Sequence, residues 1–414
     1  MTLGAAQSRV GPLERRYLNG TFAELCRIES PSGRERACAD RMIAELRGLG
    51  VSTLEDDAGV RAGSDSGNLL ARIPAASTQA AGAAGSDQPA AHTAAPGEAS
   101  SRPARVLLCA HLDTVPLLAP VEPVLVEGYW ENANEGVLGA DNKAALAVML
   151  ALARHVCREG SRVDIELLFT VCEETALAGA RAFDASRLDS DFGYVFDHAS
   201  PIGEVVLDSP THFRVEADFH GAAAHAGIRP EQGRSAILAA ARAIGAMRLG
   251  RLDDETTVNV GTIAGGSAMN VVPEHCAIVA EVRSLNEGRA EATVAQVVDR
   301  MHEAANLPEC ECDVDIAVQR TFSGFHLAAT RPAVRVAEAA LQACGHEPVR
   351  IVSGGASDAN ALLADGIEVV NLANGTERNH EPGERVSVAA LEGMLDVALA
   401  LLEAAADSAQ DPDR

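Results

Sequence analysis

Five residues of metal-ligand type stand where apolar, strand-like runs of this 414-residue chain end: His111 in CAHLD, Asp141 in LGADNKA, Glu174 in FTVCEET, Asp197 in YVFDHAS and His380 in GTERNHEPGE. Imidazoles and carboxylates without a thiolate are the ligand chemistry of a hydrolytic zinc or cobalt centre, not of a structural zinc knot. Each segment alone would pass for a solvated loop or a helix cap, because polar residues commonly follow strands. Their coincidence carries the reading. In open α/β sheets ligands bind beyond the carboxyl ends of the strands, so residues far apart in sequence can converge there.

Two metal ions about 3.5–4 Å apart, holding one water between them, give a hydroxide nucleophile near neutral pH and a Lewis acid for a scissile carbonyl. Five ligands suit such a pair if one carboxylate bridges and each ion takes one histidine and one further carboxylate. The tight Gly-Ala-Asp turn makes Asp141 the expected bridge. Glu173 precedes Glu174, and consecutive residues leaving a strand point in different directions. One can then bind metal while the other acts as general base. Asp113, two residues after His111, is placed to accept the second imidazole N–H and fix the tautomer. Lys143 is the sole lysine of the chain. Its compact ammonium is expected to neutralise part of the site or to cap the approach to it.

Such ligands need alternating strands and helices to carry them, and the apolar periodicity supplies both. Two helices open the chain within residues 21–49, broken at Ser30-Pro31-Ser32-Gly33. Strands follow at 68–74 and 105–111, separated by a low-complexity stretch, 75–104, read as a mobile loop in which His92 is incidental. A helix at 143–158 and strands at 163–171 and 192–196 complete a layered α/β pattern. From residue 210 the order changes to strand 212–220, helix 235–247, strands 256–264 and 271–283, helix 290–305 and strand 312–319. This βαββαβ order is the ferredoxin-like α+β unit. The first pattern then returns, with helices at 331–344 and 358–364, strands at 349–352 and 368–372, and a final helix at 388–404. Four ligands precede the interruption and one follows it. The expected organisation is therefore a discontinuous catalytic domain, 1–209 with 322–414, carrying an inserted domain at 210–321.

With 59 acidic against 34 basic residues, the formal charge of −25 repels phosphate backbones and anionic lipid. Nucleic acid and membrane are not expected partners. The longest apolar stretch, 144–153, is too short to span a bilayer, and the N-terminus lacks the apolar core of a signal peptide, so a cytoplasmic protein is expected. Nine cysteines without a Cys-x-x-Cys spacing read as reduced thiols, with Cys310 and Cys312 on one face of a strand.

The motifs AHLDT, LGADNKA, the Glu-Glu pair, the aspartate of YVFDH, AAAHAG, GGSAMNVVPE and NHEPGE together resemble those of peptidase T-type metallopeptidases, within the larger family that includes carboxypeptidase G and aminoacylase. The resemblance spans nearly the whole chain. It implies that His111, Asp141 and Asp197 hold one zinc ion and Asp141, Glu174 and His380 the other, with cobalt or manganese as alternatives. It also implies Glu173 as the base, Asp113 as the partner of His111, and the inserted domain as a lid and dimerisation domain. His225 of AAAHAG would reach across a homodimer interface to steady an oxyanion, while Asn270 and Arg283 would grip a substrate carboxylate. Gly354 and Gly355 of SGGASDAN would let backbone approach the substrate. The stretch after Pro74 is longer than the compact hairpin of the family.

The implied activity is that of a di-zinc exopeptidase on short peptides, acting from the amino end. An amidohydrolase or deacylase of N-acyl amino acids, or a carboxypeptidase G-like enzyme, is the second reading, because Asn270 and Arg283 suit either substrate. A catalytically silent metal- or peptide-binding protein is the third, and the presence of Glu173 speaks against it.

Overall fold

The runs VLLCAH, IELLFT and GYVF are apolar almost throughout, as befits strands covered on both faces. The computed structural model describes residues 8–76 and 102–410. The stretch expected as a loop over 75–104 falls almost entirely outside them. Four parallel strands form the middle of the main sheet, in the order Asp164–Thr170, Arg105–His111, Phe192–His198, Val369–Ala373. Leu69–Ile73 pairs antiparallel with Asp164–Thr170 on one side, and Glu204–Ser209 pairs antiparallel with Val369–Ala373 on the other. Parallel pairing makes the carboxyl ends of the four central strands emerge on one edge, which is where the polar residues of the motifs begin.

Two groups of helices cover this sheet. Pro12–Cys26, Ala140–Glu159, Pro332–Ala343 and Val388–Gln410 pack with one another, and the short helices Ala58–Ala62, Ala178–Ala182 and Asp358–Ala364 form the second group. Helix Ala140–Glu159 is buried on nearly every side, with Leu146, Met149, Leu150 and Leu152 fully inaccessible. Truncating one such leucine to alanine would cost about 2–5 kcal/mol. The helix therefore anchors the Asp141 turn at its start.

The described chain divides into two compact units: Met1–Leu207 with Leu327–Val352 and Ser357–Arg414, and Asp208–His326 with Ser353–Ala356. Residues 208–209, 322–326 and 353–356, which the sequence expectation leaves in the catalytic domain, fall in the second unit. Hydrogen bonds explain this: Ser353 N donates to Asp208 O (2.8 Å), Ser209 Oγ to Gly355 O (2.9 Å), and Gly324 N to Thr211 Oγ1 (2.9 Å).

The second unit is an antiparallel sheet in the order Gly250–Arg251, Thr256–Gly265, His275–Ser284, Thr211–His220, Asp313–Phe322. With helices Ala236–Ala246 and Glu287–Ala305, its major elements follow the βαββαβ order of a ferredoxin-like fold. Phe213, Val215, Ala217 and Phe219 alternate inward along one strand and share a core with Val294, Val297 and Met301. Ser235 and Asn286 cap the two helices through their side chains.

Three sequence expectations change here. The strand expected from residue 271 begins at His275, because Pro273 has no N–H for a ladder and Val272 N donates to Ala224 O instead (2.9 Å). Asn270 consequently lies in a loop. Cys310 and Cys312 are buried in the turn before Asp313–Phe322, not on the strand. A small sheet unforeseen in the sequence joins Pro123–Val126, Tyr129–Asn132, Arg385–Ser387 and Thr376–Glu377. It braces the segment leading into and out of His380. Among the described residues, no helix is long and apolar enough to cross a membrane.

Candidate active site

Parallel strand ends present His111, Glu173, Glu174 and Asp197, whereas Asp141, expected at a strand end, comes from the start of helix Ala140–Glu159 and His380 from the loop between Thr376–Glu377 and Arg385–Ser387; the six lie together. His111 closes its strand and is 1% exposed. Its Nε2 lies 3.2 Å from Asp141 Oδ1 and 3.5 Å from Asp197 Oδ1. On the other side of Asp141, His380 Nε2 lies 3.4 Å from Oδ2 and 2.9 Å from Glu174 Oε1. Asp141 thus sits between the two imidazoles, one oxygen toward each. Two overlapping groups could hold a cation, His111 with Glu173 and Asp197, and His111 with Asp141 and Glu174, the donor atoms of each lying within 4.8 Å of one another.

The backbone is shaped to present these groups. Gly139 takes φ +75°, and the first residues of the following helix, Asp141 (φ −85°, ψ 103°) and Asn142 (φ −119°, ψ 33°), depart from helical geometry. Cys172, just before the Glu-Glu pair, has φ +53°, and His380 has φ +65°. Left-handed conformations at residues with a Cβ are costly and collect at functional loops.

Asp113 plays a wider part than the expected imidazole partner. Its carboxylate accepts from Glu173 N (3.0 Å), Glu174 N (3.1 Å) and Ser32 Oγ (2.7 Å), and lies 3.4 Å from His111 Nδ1. The shorter contact of Nδ1, 3.0 Å, is to the backbone carbonyl of Asp113. One buried carboxylate therefore ties the His111 strand end to the glutamate turn. Burial alone would raise its pKa, but the hydrogen bonds from His111, Ser32 and the Glu173 amide hold it below the usual carboxylate range.

The electrostatics are those of crowded acids. Burial, and then the charge of Asp141, pushes Asp197 well up, and burial with the charge of Asp197 does the same to Glu173. His380 is raised to about 10 by its hydrogen bonds with Asp141 and Glu174. Burial would lower His111, yet Asp197, Asp113 and Asp141 hold it well above the ordinary imidazole value. Carboxylates this close repel one another, and divalent cations among them would offset that repulsion. The donor set of imidazoles and carboxylates fits zinc-like ions.

Four supporting residues are absent from the sequence reading. Glu384, 1% exposed, accepts from Gly139 N (2.6 Å) and Asp141 N (2.9 Å). Asn379 Nδ2 donates to Asp141 Oδ2 (2.8 Å), and Asn142 Nδ2 donates to Phe196 O (2.9 Å), beside Asp197. Asp358, 1% exposed, accepts from Thr170 Oγ1 and is pushed up to about 6 by burial. Polar letters inside the motifs LGADNKA, SGGASDAN and NHEPGE were the available signals. Lys143 departs from expectation: it is 1% exposed, and its Nζ donates to Ser30 Oγ, Leu112 O (3.1 Å) and Cys38 Sγ (3.2 Å). None of these partners is a carboxylate of the cluster.

His225, Asn270 and Arg283 lie in the second unit. Ala226 N donates to Asn270 O (3.0 Å), so the loops of His225 and Asn270 run together. Gly227 N donates to His225 Nδ1 (3.2 Å), which leaves Nε2 as the donor of a neutral ring. Arg283 is engaged apart from them, with Nη1 donating to Gly354 O (2.9 Å) and Nη2 to Glu281 (3.1 Å). A Cβ at Gly354 would meet nothing within 4 Å, so the fold itself does not demand glycine there.

Comparison with known proteins fits this geometry. The peptidase dimerisation domain of M20 enzymes matches residues 211–307, and peptidase family M28 matches residues 92–206. The chain is 33% identical to the uncharacterized protein YqjE of Bacillus subtilis, over 95% of this chain and 99% of that one. Aminopeptidase PepT from Bacillus cereus superposes with a TM-score of 0.80 at 34% identity, again covering 95% and 99% of the two chains. A tripeptidase from Staphylococcus aureus gives a TM-score of 0.84 at 29% identity with the same coverage. The chain belongs to the peptidase T-like metallopeptidases of the M20 family.

Proposed function

We propose that this peptidase is a cytoplasmic, homodimeric exopeptidase that removes the amino-terminal residue of short peptides at a pair of divalent ions, zinc first among them. The placement of Asp141 between His111 and His380 is the observation that carries the reading. His111, Asp141 and Asp197 would hold one ion, and Asp141, Glu174 and His380 the other. When bound, the ions supply a Lewis acid for the scissile carbonyl and acidify the attacking water.

The protein's own groups do the rest. The Glu173 carboxylate, its backbone pinned by Asp113, takes the proton from the attacking water and passes it to the leaving amine. Asp113 keeps His111 oriented through both its carbonyl and its carboxylate. His225, with Nε2 as donor, steadies the oxyanion across the dimer interface, and Asn270 and Arg283 receive the substrate carboxylate. The match of the dimerisation domain over 211–307 supports the homodimer, and nine free cysteines support a reducing compartment.

A hydrolysis panel of dipeptides, tripeptides, amino-blocked peptides and N-acyl amino acids, run with and without chelator, tests the reading. Cleavage of free tripeptides that chelator abolishes is the expected result. Preference for N-acyl amino acids would reject the aminopeptidase assignment in favour of a deacylase, and chelator-insensitive turnover would reject the metal centre.

A further inference from the structure

Among 34 basic residues only position 143 is lysine, and that lysine is 1% exposed. A buried amine is costly to desolvate, so its retention points to a task that apolar packing would not perform. Its surroundings identify the task. Lys143 lies two residues beyond Asp141 on the same helix start, and its Nζ reaches back to the carbonyl of Leu112, the residue between His111 and Asp113 (3.1 Å). The other two acceptors are Ser30 Oγ and Cys38 Sγ, so three acceptors meet the three donors of one ammonium.

Ser30 is itself part of a brace. Its Oγ donates to Leu112 O (2.8 Å), its carbonyl accepts from Thr114 N (2.9 Å), and Ser32 Oγ donates to Asp113 (2.7 Å). The amine sits where these two segments cross. An arginine's planar fork could not meet three acceptors that converge on one point.

We propose that Lys143 is a positioning residue that holds His111 and Asp113 in register with Asp141, and so sets the affinity of the metal centre. This rests on the metal reading given above. A purely structural role would be met as well by an apolar side chain of similar volume, because it would escape the cost of desolvating a lone ammonium while Leu112 O keeps its bond from Ser30 Oγ. The two roles therefore separate in Lys143→Met.

The test titrates zinc alone into apoprotein, competing against a chromophoric chelator, beside thermal unfolding of each apoprotein. Lys143→Met is expected to unfold no earlier than wild type yet to bind zinc roughly 10–100-fold more weakly, the range for lost support of a metal ligand. Lys143→Arg is expected not to restore affinity. Unchanged zinc affinity in Lys143→Met overturns the proposal while leaving the metal reading intact. Wild-type apoprotein that takes up no zinc sinks the metal reading and this inference with it. If Lys143→Met does not fold, Ser30→Ala decides, since it removes one acceptor of the ammonium and the Oγ bond to Leu112 O while keeping the backbone bond to Thr114 N: weakened zinc binding supports the proposal and unchanged binding overturns it.

Discussion

His111 and Asp113 are 1% and 0% exposed at the end of a central strand, whereas His225 and Asn270 lie exposed on loops of the second unit. Both sets belong to the proposed chemistry, yet the fold holds them under opposite conditions. The first set is fixed by buried strands and by hydrogen bonds that link four chain segments. The second has few constraints beyond its own loop pair. Rigid placement suits ions, which tolerate little displacement of their ligands, and exposure suits groups that must meet a substrate arriving from water.

The comparison breaks most readily at its buried end. His111→Ala and His380→Ala are both expected to cost metal, but unequally. His111 is enclosed by Asp113, Asp141 and Asp197, while His380 is half exposed and touches Asp141 and Glu174. We expect His111→Ala to lose both equivalents of metal and to fall to the turnover of chelated enzyme, and His380→Ala to keep one. Metal analysis after dialysis measures this. Equal stoichiometry in the two variants would contradict the distinction drawn from burial.

Glu173→Gln comes next. Its amide stays pinned by Asp113, so metal content should match wild type, while kcat falls roughly 10²–10⁴-fold for want of a base. Initial rates beside metal content check it, and full activity would remove Glu173 from the reaction.

How much of this arrangement can be read from sequence follows from the same contrast. His111 and Asp197 stand at the ends of runs that are apolar enough to declare buried parallel strands, so their placement is legible without coordinates. Glu384 is not legible. It works by accepting backbone amides of Gly139 and Asp141, and a backbone donor leaves no mark in the sequence. Nor do the strands Thr376–Glu377 and Arg385–Ser387 announce themselves, since two or three residues carry no periodicity. The hairpin of Pro123–Val126 and Tyr129–Asn132 is as quiet: Glu127 and Gly128 take φ +50° and +87°, the positive pair that a type I′ turn requires, but Glu-Gly is not among the dipeptides that announce such a turn. Lys143 is legible as an oddity and misleading as to partner, because proximity in sequence to Asp141 suggested a carboxylate where the structure provides neutral acceptors.

Glu384→Gln sharpens the comparison at a smaller scale. One of the two carboxylate oxygens that hold the Asp141 turn becomes an amide that cannot accept from a backbone N–H, leaving a buried donor unpaired at about 1–3 kcal/mol. Metal affinity is expected to fall roughly 10–100-fold, with apoprotein thermal stability lowered as well. Chelator competition and thermal unfolding read the two effects separately, and an unaltered metal affinity would reduce Glu384 to a purely structural group.

The smallest effect belongs to Arg283, half-buried in the second unit. Arg283 already donates to Gly354 O and to Glu281 from different nitrogens, and the same charge, with the His212 hydrogen bond, holds the Glu281 carboxyl below its usual range against burial. A lysine at 283 keeps the charge but presents one point rather than a fork, so it can serve one of these partners while a substrate carboxylate waits for the other. Arg283→Lys is therefore expected to raise KM about 5–30-fold, equivalent to one or two kcal/mol, with kcat and metal content unchanged. If kcat falls and KM holds, Arg283 acts on the reacting bond and the division between a rigid metal-holding region and a substrate-holding one fails.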